Sequence, residues 1–336
     1  MAWILRVVAF LVAAVPALAS GDCALPEMRT DIRPGTGAGP TEVTAHVVVL
    51  DVLGIDDANQ QVTLDFAIFL DWTDPRLAGP EGCRFPVTAV WFPELYLLNS
   101  SNLRQLRTQA RDQVSVGPEG RVSHVQRFTG DVSSYHSLRD FPFDSHNLEI
   151  AMMPVRDQRS DLVLVADDAR SGLGRRLNIE GWDISGVRLT EQPFSPLVQE
   201  GEYSLLLLTI AAARESSYYV YRLILPLTLV VAMSWAIFWV PRDRYEFRIG
   251  LGATSMLTAI AFALSMAGRL PTLGYLTVLD RMLIWAIALI FLTIVEAVVV
   301  GRLLHANREN RARSLDRACR VAFPCLLVGG WAVTLL

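Results

Sequence analysis

Between residues 62 and 72 the chain alternates. Val62, Leu64, Phe66, Ile68, Leu70 and Trp72 recur at every second position, with Thr63, Asp65, Ala67, Phe69 and Asp71 between them. A period of two over this length predicts a β-strand with one buried face. Val43, Ala45, Val47 and Val49 repeat the pattern upstream, and the sequence GIDDANQ at 54–60 has the chemistry of a turn. Residues 113–116 and 121–128 flank Gly117-Pro118-Glu119-Gly120, a hairpin signal. Further short apolar runs follow at 148–153, 162–165 and 204–210. Many short strands without a convincing helix predict an antiparallel, immunoglobulin-like β-sandwich over residues 21–217.

The pattern then changes. Four apolar stretches, 218–240, 246–267, 280–303 and 318–336, are each close to the ~20 residues that cross a bilayer as a helix. Pro226 is expected to kink the first. The second carries an unusual stripe of Glu246, Gly250, Thr254, Leu257, Ala261 and Leu264. At about 100° per residue these six fall within an arc of roughly 80°. An acid, small residues, a hydroxyl and aliphatics on one face suit an aqueous axis shared by several copies of the helix. A helix packed by its small residues inside its own subunit is the other reading of the same stripe. Glu296, deep in the third stretch, is an intramembrane acid. It is expected to snorkel or to hydrogen-bond across subunits near Arg302.

Arg242, Arg244 and Arg248 follow the first stretch, and Arg302, Arg308, Arg311, Arg313, Arg317 and Arg320 follow the third. Such clusters mark cytoplasmic loops, which leaves residues 21–217 outside. Residues 1–20 agree: Arg6, an apolar run and Ala17-Leu18-Ala19 have the form of a secretory signal peptide. A net charge of −4 carries no nucleic-acid signal. Of four cysteines, Cys23 and Cys83 lie in the exported half, where a disulfide or two separate thiols are both open. There is no CxxC, no metal-spaced His/Cys cluster, no GxSxG and no phosphate-binding glycine loop. No cofactor, metal or catalytic residue is expected, and the chain does not read as an enzyme.

Three stretches carry a resemblance. WTDPRL at 72–77, WFPE at 91–94 and FPFDSHNLEI at 141–150 resemble signatures of the pentameric ligand-gated ion channels, the Cys-loop receptors, in that family's order. Ser134 and Leu148 stand where the bracketing cysteines would be, which is similar to prokaryotic members. The resemblance implies a homopentamer whose second span lines the pore through Glu246, Gly250, Thr254, Leu257, Ala261 and Leu264. Glu246 would select monovalent cations and Leu257 would form the gate. Asp56, Asp57, Asp144, Arg214 and Pro271 would couple the two halves. A small-molecule agonist would bind among Phe69, Tyr96, Arg156, Phe194 and Tyr203.

Protons are the rival activator, with Asp56, Asp57, His46, His124, His136 and His146 as the groups that can titrate, although Gln60 and Ala259 replace two groups that the proton-sensing branch carries. The implied location is a bacterial inner membrane. A four-span periplasmic solute sensor that signals without conduction is the alternative. Two short basic loops leave it little cytoplasmic surface for a partner.

Overall fold

The computed structural model describes residues 23–35, 39–106, 112–174, 177, 179–197, 200–266 and 273–335. The signal-peptide stretch, Pro271 and Arg269 lie outside the described residues. The exported half consists of strands β1 (Thr41–Asp56), β2 (Gln61–Thr73), β3 (Arg84–Pro86), β4 (Leu95–Leu97), β5 (Ser100–Gln105) and β6 (Gln113–Val116). They are followed by β7 (Arg121–Ser133), β8 (Ser145–Pro154), β9 (Leu162–Ala166), β10 (Gly172–Leu173), β11 (Trp182–Phe194) and β12 (Tyr203–Arg214). One sheet runs β10-β1-β2-β7-β6-β3, with β5 on β7 and β9 on β1, and the other runs β11-β12-β8-β4.

The period-two residues decide which faces meet. Leu64, Phe66, Ile68 and Leu70 of β2 are buried with Val43, Ala45, Val47 and Val49 of β1. They pack with Leu148, Ile150 and Met152 of β8 and Leu206, Leu208 and Ile210 of β12 in one core. Burying a large apolar side chain is worth about 1.5–3 kcal/mol, so this layer dominates the sandwich. Of the two states left open for the exported cysteines, the disulfide forms: Cys23 bonds Cys83 and ties the amino-terminal segment to the sandwich.

Among the described residues, four helices are long and apolar enough to cross a membrane. They are α1 (Ser217–Trp239), α2 (Tyr245–Met266), α3 (Val278–His305) and α4 (Glu309–Leu335). Helix α1 changes character at its proline, with a π-turn over Val220–Ile224 and α-helix over Leu225–Trp235. Pro226 has no N–H to donate to the carbonyl four residues earlier, and a widened turn accommodates that gap. Helix α3 starts at a capping box in which the Thr277 and Asp280 side chains each bond the other's backbone N–H.

Helix α4 begins earlier than residue 318, because its polar first turns also pack. Ala312 and Asp316 are buried, and Asp316 accepts bonds from Arg242 and from Arg248 Nη2, the latter at 2.7 Å. Arg248 itself is fully buried, donates to the Ile237 carbonyl at 3.1 Å, and lies 3.4 Å from Glu296. Glu296 therefore faces Arg248 of its own chain, which corrects the expectation of snorkelling or of an intersubunit bond near Arg302. The reason is helical periodicity: Glu296 falls on the buried face of α3 with Leu289, Thr293 and Val300.

The disulfide closes a sequence separation of 60 residues, worth about 4 kcal/mol in the chain-entropy view. Cys83→Ser should lower the thermal unfolding midpoint of the sandwich in oxidising buffer. Under reducing conditions wild type and variant should converge.

Candidate ion pathway and coupling junction

Helix α2 turns two different faces outward and inward. Arg248, Gly252, Ser255 and Ala259 are buried against the rest of the bundle. A Cβ on Gly252 would lie 2.6 Å from Ile294 Cγ1, so glycine is what lets α2 and α3 approach there. On the other side Glu246, Gly250, Thr254, Leu257, Ala261 and Leu264 are all exposed in the single chain. Leu257 is 69% and Leu264 71% exposed. Thr254 and Thr258 donate their hydroxyls to the carbonyls of Gly250 and Thr254 at 2.9 and 2.8 Å. Packing inside its own subunit, the other reading of the stripe, does not occur. Phe247 and Ile260 widen the exposed arc beyond the stripe. Arg248 points away from Glu246 as their angular separation on the helix requires, whereas Arg244 precedes α2 and is exposed.

At the other end of the bundle, the loop from Leu138 to Asp144 enters the helical half. Leu138 and Phe141 join Leu223, Leu227, Leu279 and Leu283 in the core of the bundle. Leu138 N–H donates to the Tyr275 hydroxyl at 2.9 Å, and Val278 N–H to the Arg139 carbonyl at 2.9 Å. The bond Phe141-Pro142 in this loop is cis.

Beside this loop Arg214, the last residue of β12, lies between two carboxylates. Its Nε and Nη2 donate to Asp144 Oδ1 and Oδ2 at 2.8 and 3.0 Å. Nη2 also donates to Asp57 Oδ1 at 2.9 Å, and Nη1 lies 2.8 Å from Asp57 Oδ2. The guanidinium also stacks over Trp182, 4.1 Å from the ring centroid.

Two histidines complete the junction. His146 Nε2 bonds Asp144 Oδ2 at 2.5 Å, and His136 Nε2 bonds Asp57 Oδ1 at 3.2 Å. Their rings sit 4.2 Å apart. Burial pushes the Asp57 and Asp144 carboxyls up, but bonds from these histidines and from Arg214 outweigh it and hold both below the usual carboxylate range. Burial alone would lower Arg214, and the two carboxylates raise it instead.

Of the residues expected to couple the halves, Asp57, Asp144 and Arg214 are therefore brought together, and Asp56 is not. Asp56 is exposed and accepts from Asn59 N–H and Nδ2 at 3.0 and 2.8 Å, acting inside its own turn. The sequence offers His136 and His146 as groups that can titrate, without placing them beside these aspartates. His146 had a signal, since residues i and i+2 of a strand share a face and Asp144 precedes it by two. His136 had none, because its partners come from elsewhere in the sequence.

The expected agonist residues do not converge within one chain. Phe69 lies on β2 and stacks on His46 at 4.6 Å, in the first sheet. Tyr96, Phe194 and Tyr203 belong to the second sheet, with Phe194 paired to Tyr203 and Tyr96 to Met153. Tyr203 is buried with Met153 and Leu205. It is a packing residue rather than an open aromatic wall. Arg156 is 82% exposed along its side chain, 3.9 Å from Glu94.

Depressed carboxyl pKa values contribute stability that is present above the ordinary carboxylate range and lost as pH falls through the lowered values. The junction should therefore keep its ion pairs through mild acid, below about pH 4. Arg214→Gln leaves two buried carboxylates uncompensated, which should cost about 3–5 kcal/mol. It should also move the onset of acid destabilisation to higher pH. Thermal unfolding across pH reads both effects.

The chain matches two family descriptions in sequence. The neurotransmitter-gated ion-channel ligand binding domain matches residues 25–215, and the neurotransmitter-gated ion-channel transmembrane region matches residues 223–328. Among curated relatives, a proton-gated ion channel of Gloeobacter violaceus is 26% identical over 86% of this chain and 81% of its own length. A pH-sensitive chloride channel 2 of Drosophila melanogaster is 25% identical over 80% of this chain and 55% of its own. A gamma-aminobutyric acid receptor subunit beta of Caenorhabditis elegans is 23% identical over 80% of this chain and 50% of its own. For these last two the chain spans about half of the relative's length. Two family domains in tandem and four apolar helices after a β-sandwich lead to one conclusion: this is a multi-pass membrane protein of the neurotransmitter-gated ion-channel family, the pentameric ligand-gated ion channels.

Proposed function

We propose that five identical copies surround a cation-conducting axis lined by the exposed stripe of α2, in a bacterial inner membrane. The observation that carries this reading is the division of α2 into a buried Arg248 face and an exposed Glu246–Leu264 face. An exposed carboxylate and two hydroxyls are costly against lipid and favourable against water. Five copies of Glu246 would set a ring of negative potential at the inner mouth, and five copies of Leu257 an apolar constriction able to close by dewetting. A closed cyclic arrangement would also bring the Phe69 sheet of one copy toward the Tyr96, Arg156 and Phe194 edge of the next. That is where a small-molecule agonist would sit.

Protons are the second activating species, and the histidine pair supports them. Arg214 with Asp57 and Asp144 sums to one negative charge. Protonating one of His136 and His146 neutralises the cluster, and protonating both places two cations with ring centroids 4.2 Å apart. Two cations at that spacing repel, which favours an arrangement with the rings apart. A similar relative is named a proton-gated ion channel. The resting sandwich would hold the pair together, and acid would favour an arrangement in which the loop 136–146 shifts against β12.

Reversal potential in a NaCl gradient tests selectivity: wild type should follow sodium, and Glu246→Ala should lose most of that preference. A wild type that follows chloride defeats the cation reading. Leu257→Ser should hydrate the constriction and open the channel more readily. A pH step on liposome-reconstituted protein should activate or modulate current. His146→Gln should then weaken that response. A flat response between pH 4 and 9 removes protons as the activator.

A further inference from the structure

Glu246 lies in the first turn of α2, where a helix frays because its leading N–H groups lack partners within the helix. The direction of its side chain therefore depends on what holds the segment from outside. Tyr245 packs on α3, where a Cβ on Gly301 would lie 3.6 Å from its Cγ and the His305 ring centroid is 5.9 Å away. Arg242, four positions before Glu246, donates from Nε to Asp316 Oδ2. Arg248, two positions after it, donates from Nη2 to Asp316 Oδ1 at 2.7 Å. The two oxygens of one carboxylate thus hold both ends of the short segment that carries Glu246. Asp316 is 1% exposed and Arg248 fully buried, so water does not compete for these charge-assisted bonds. Asp316 also shares a hydrogen bond with Glu296 of α3. It belongs to α4, the least buried of the four spans.

We propose that Asp316 is a positioning residue for ion selectivity, which acts through Arg242 and Arg248 to keep Glu246 pointed at the axis. The proposal rests on the reading of Glu246 as the selecting carboxylate. Arg248 lies about 200° around the helix from Glu246, so drawing it toward α4 turns Glu246 the other way. A rotation by one residue, about 100°, would take Glu246 off the axial face. Without the Asp316 carboxylate, Arg242 loses the group it shares with Arg248. Arg248 then keeps the Ile237 carbonyl at 3.1 Å and the Glu296 carboxyl group at 3.4 Å, neither of which ties it to Arg242. A mere tether for α4 affects stability and yield and leaves the permeation preference alone. A clamp on Glu246 changes that preference, and does so only where Glu246 is present.

The test is the reversal potential of purified full-length protein in liposomes under a NaCl gradient. Asp316→Asn should lower the sodium-to-chloride permeability ratio by roughly threefold or more, a coupling of the size found within one side-chain network. Arg242→Gln, at a side chain 29% exposed, should lower it less. The two variants change the local charge in opposite directions, so a fall in both cannot come from charge alone. In a Glu246→Ala background neither should shift the ratio further. Where Asp316→Asn does not assemble, Arg242→Gln carries the test. A ratio unchanged in both variants, a ratio that rises in Arg242→Gln, or an equal fall with and without Glu246 overturns the proposal. In those cases Glu246→Ala by itself still loses the preference, and the cation reading stands. A wild type without cation preference, or a Glu246→Ala channel that keeps it, removes the reading and this assignment together.

Discussion

A guanidinium holds in a buried position when each of its faces meets an opposite charge at hydrogen-bond distance. Arg214 meets this condition twice, with Asp144 and Asp57 both bound in two-point contacts. The three residues come from the end of β12, the loop before β8 and the turn after β1. Removing Arg214 leaves two buried carboxylates with only histidine side chains as partners. The same residue leads directly into α1, three positions before its first residue, Ser217. Geometry set in the sandwich is thereby passed to the first membrane helix through one charged group.

The base of the bundle repeats the device. Arg248 is fully buried beside Asp316 and Glu296, and Arg242 shares Asp316. These charges tie the connection before α2, the start of α2, the middle of α3 and the first third of α4 into one cluster. Helix α4, whose apolar window is mostly exposed, gains a specific attachment from it. The two clusters differ in one respect. The upper one contains histidines, while the lower one consists of arginines and carboxylates alone.

Between these anchors α2 is held so that one face is used up. Gly252 and Ala259 press against neighbouring helices, and the polar stripe is left exposed in the single chain. Small residues on the packed face and a carboxylate with hydroxyls on the open face are what a helix needs to meet protein on one side and water on the other.

The sandwich, its core residues and the four helices were legible from local pattern alone. Periods of two and stretches of about 20 apolar residues depend only on which neighbours along the chain share a face. The stripe of α2 was legible for the same reason, since six residues on one helix keep their angular relation in any fold. Contacts between distant segments were not. The sequence could place Arg214 near two aspartates only by resemblance, and it left Asp56 and Asp57 equivalent until the turn directed Asp56 to Asn59. The His136–His146 pair, the Arg248 partner of Glu296, the packing role of Tyr203 and the Cys23–Cys83 bond all join residues from separate elements. Such pairings follow from how sheets and helices stack, a property of the tertiary structure that no local period encodes.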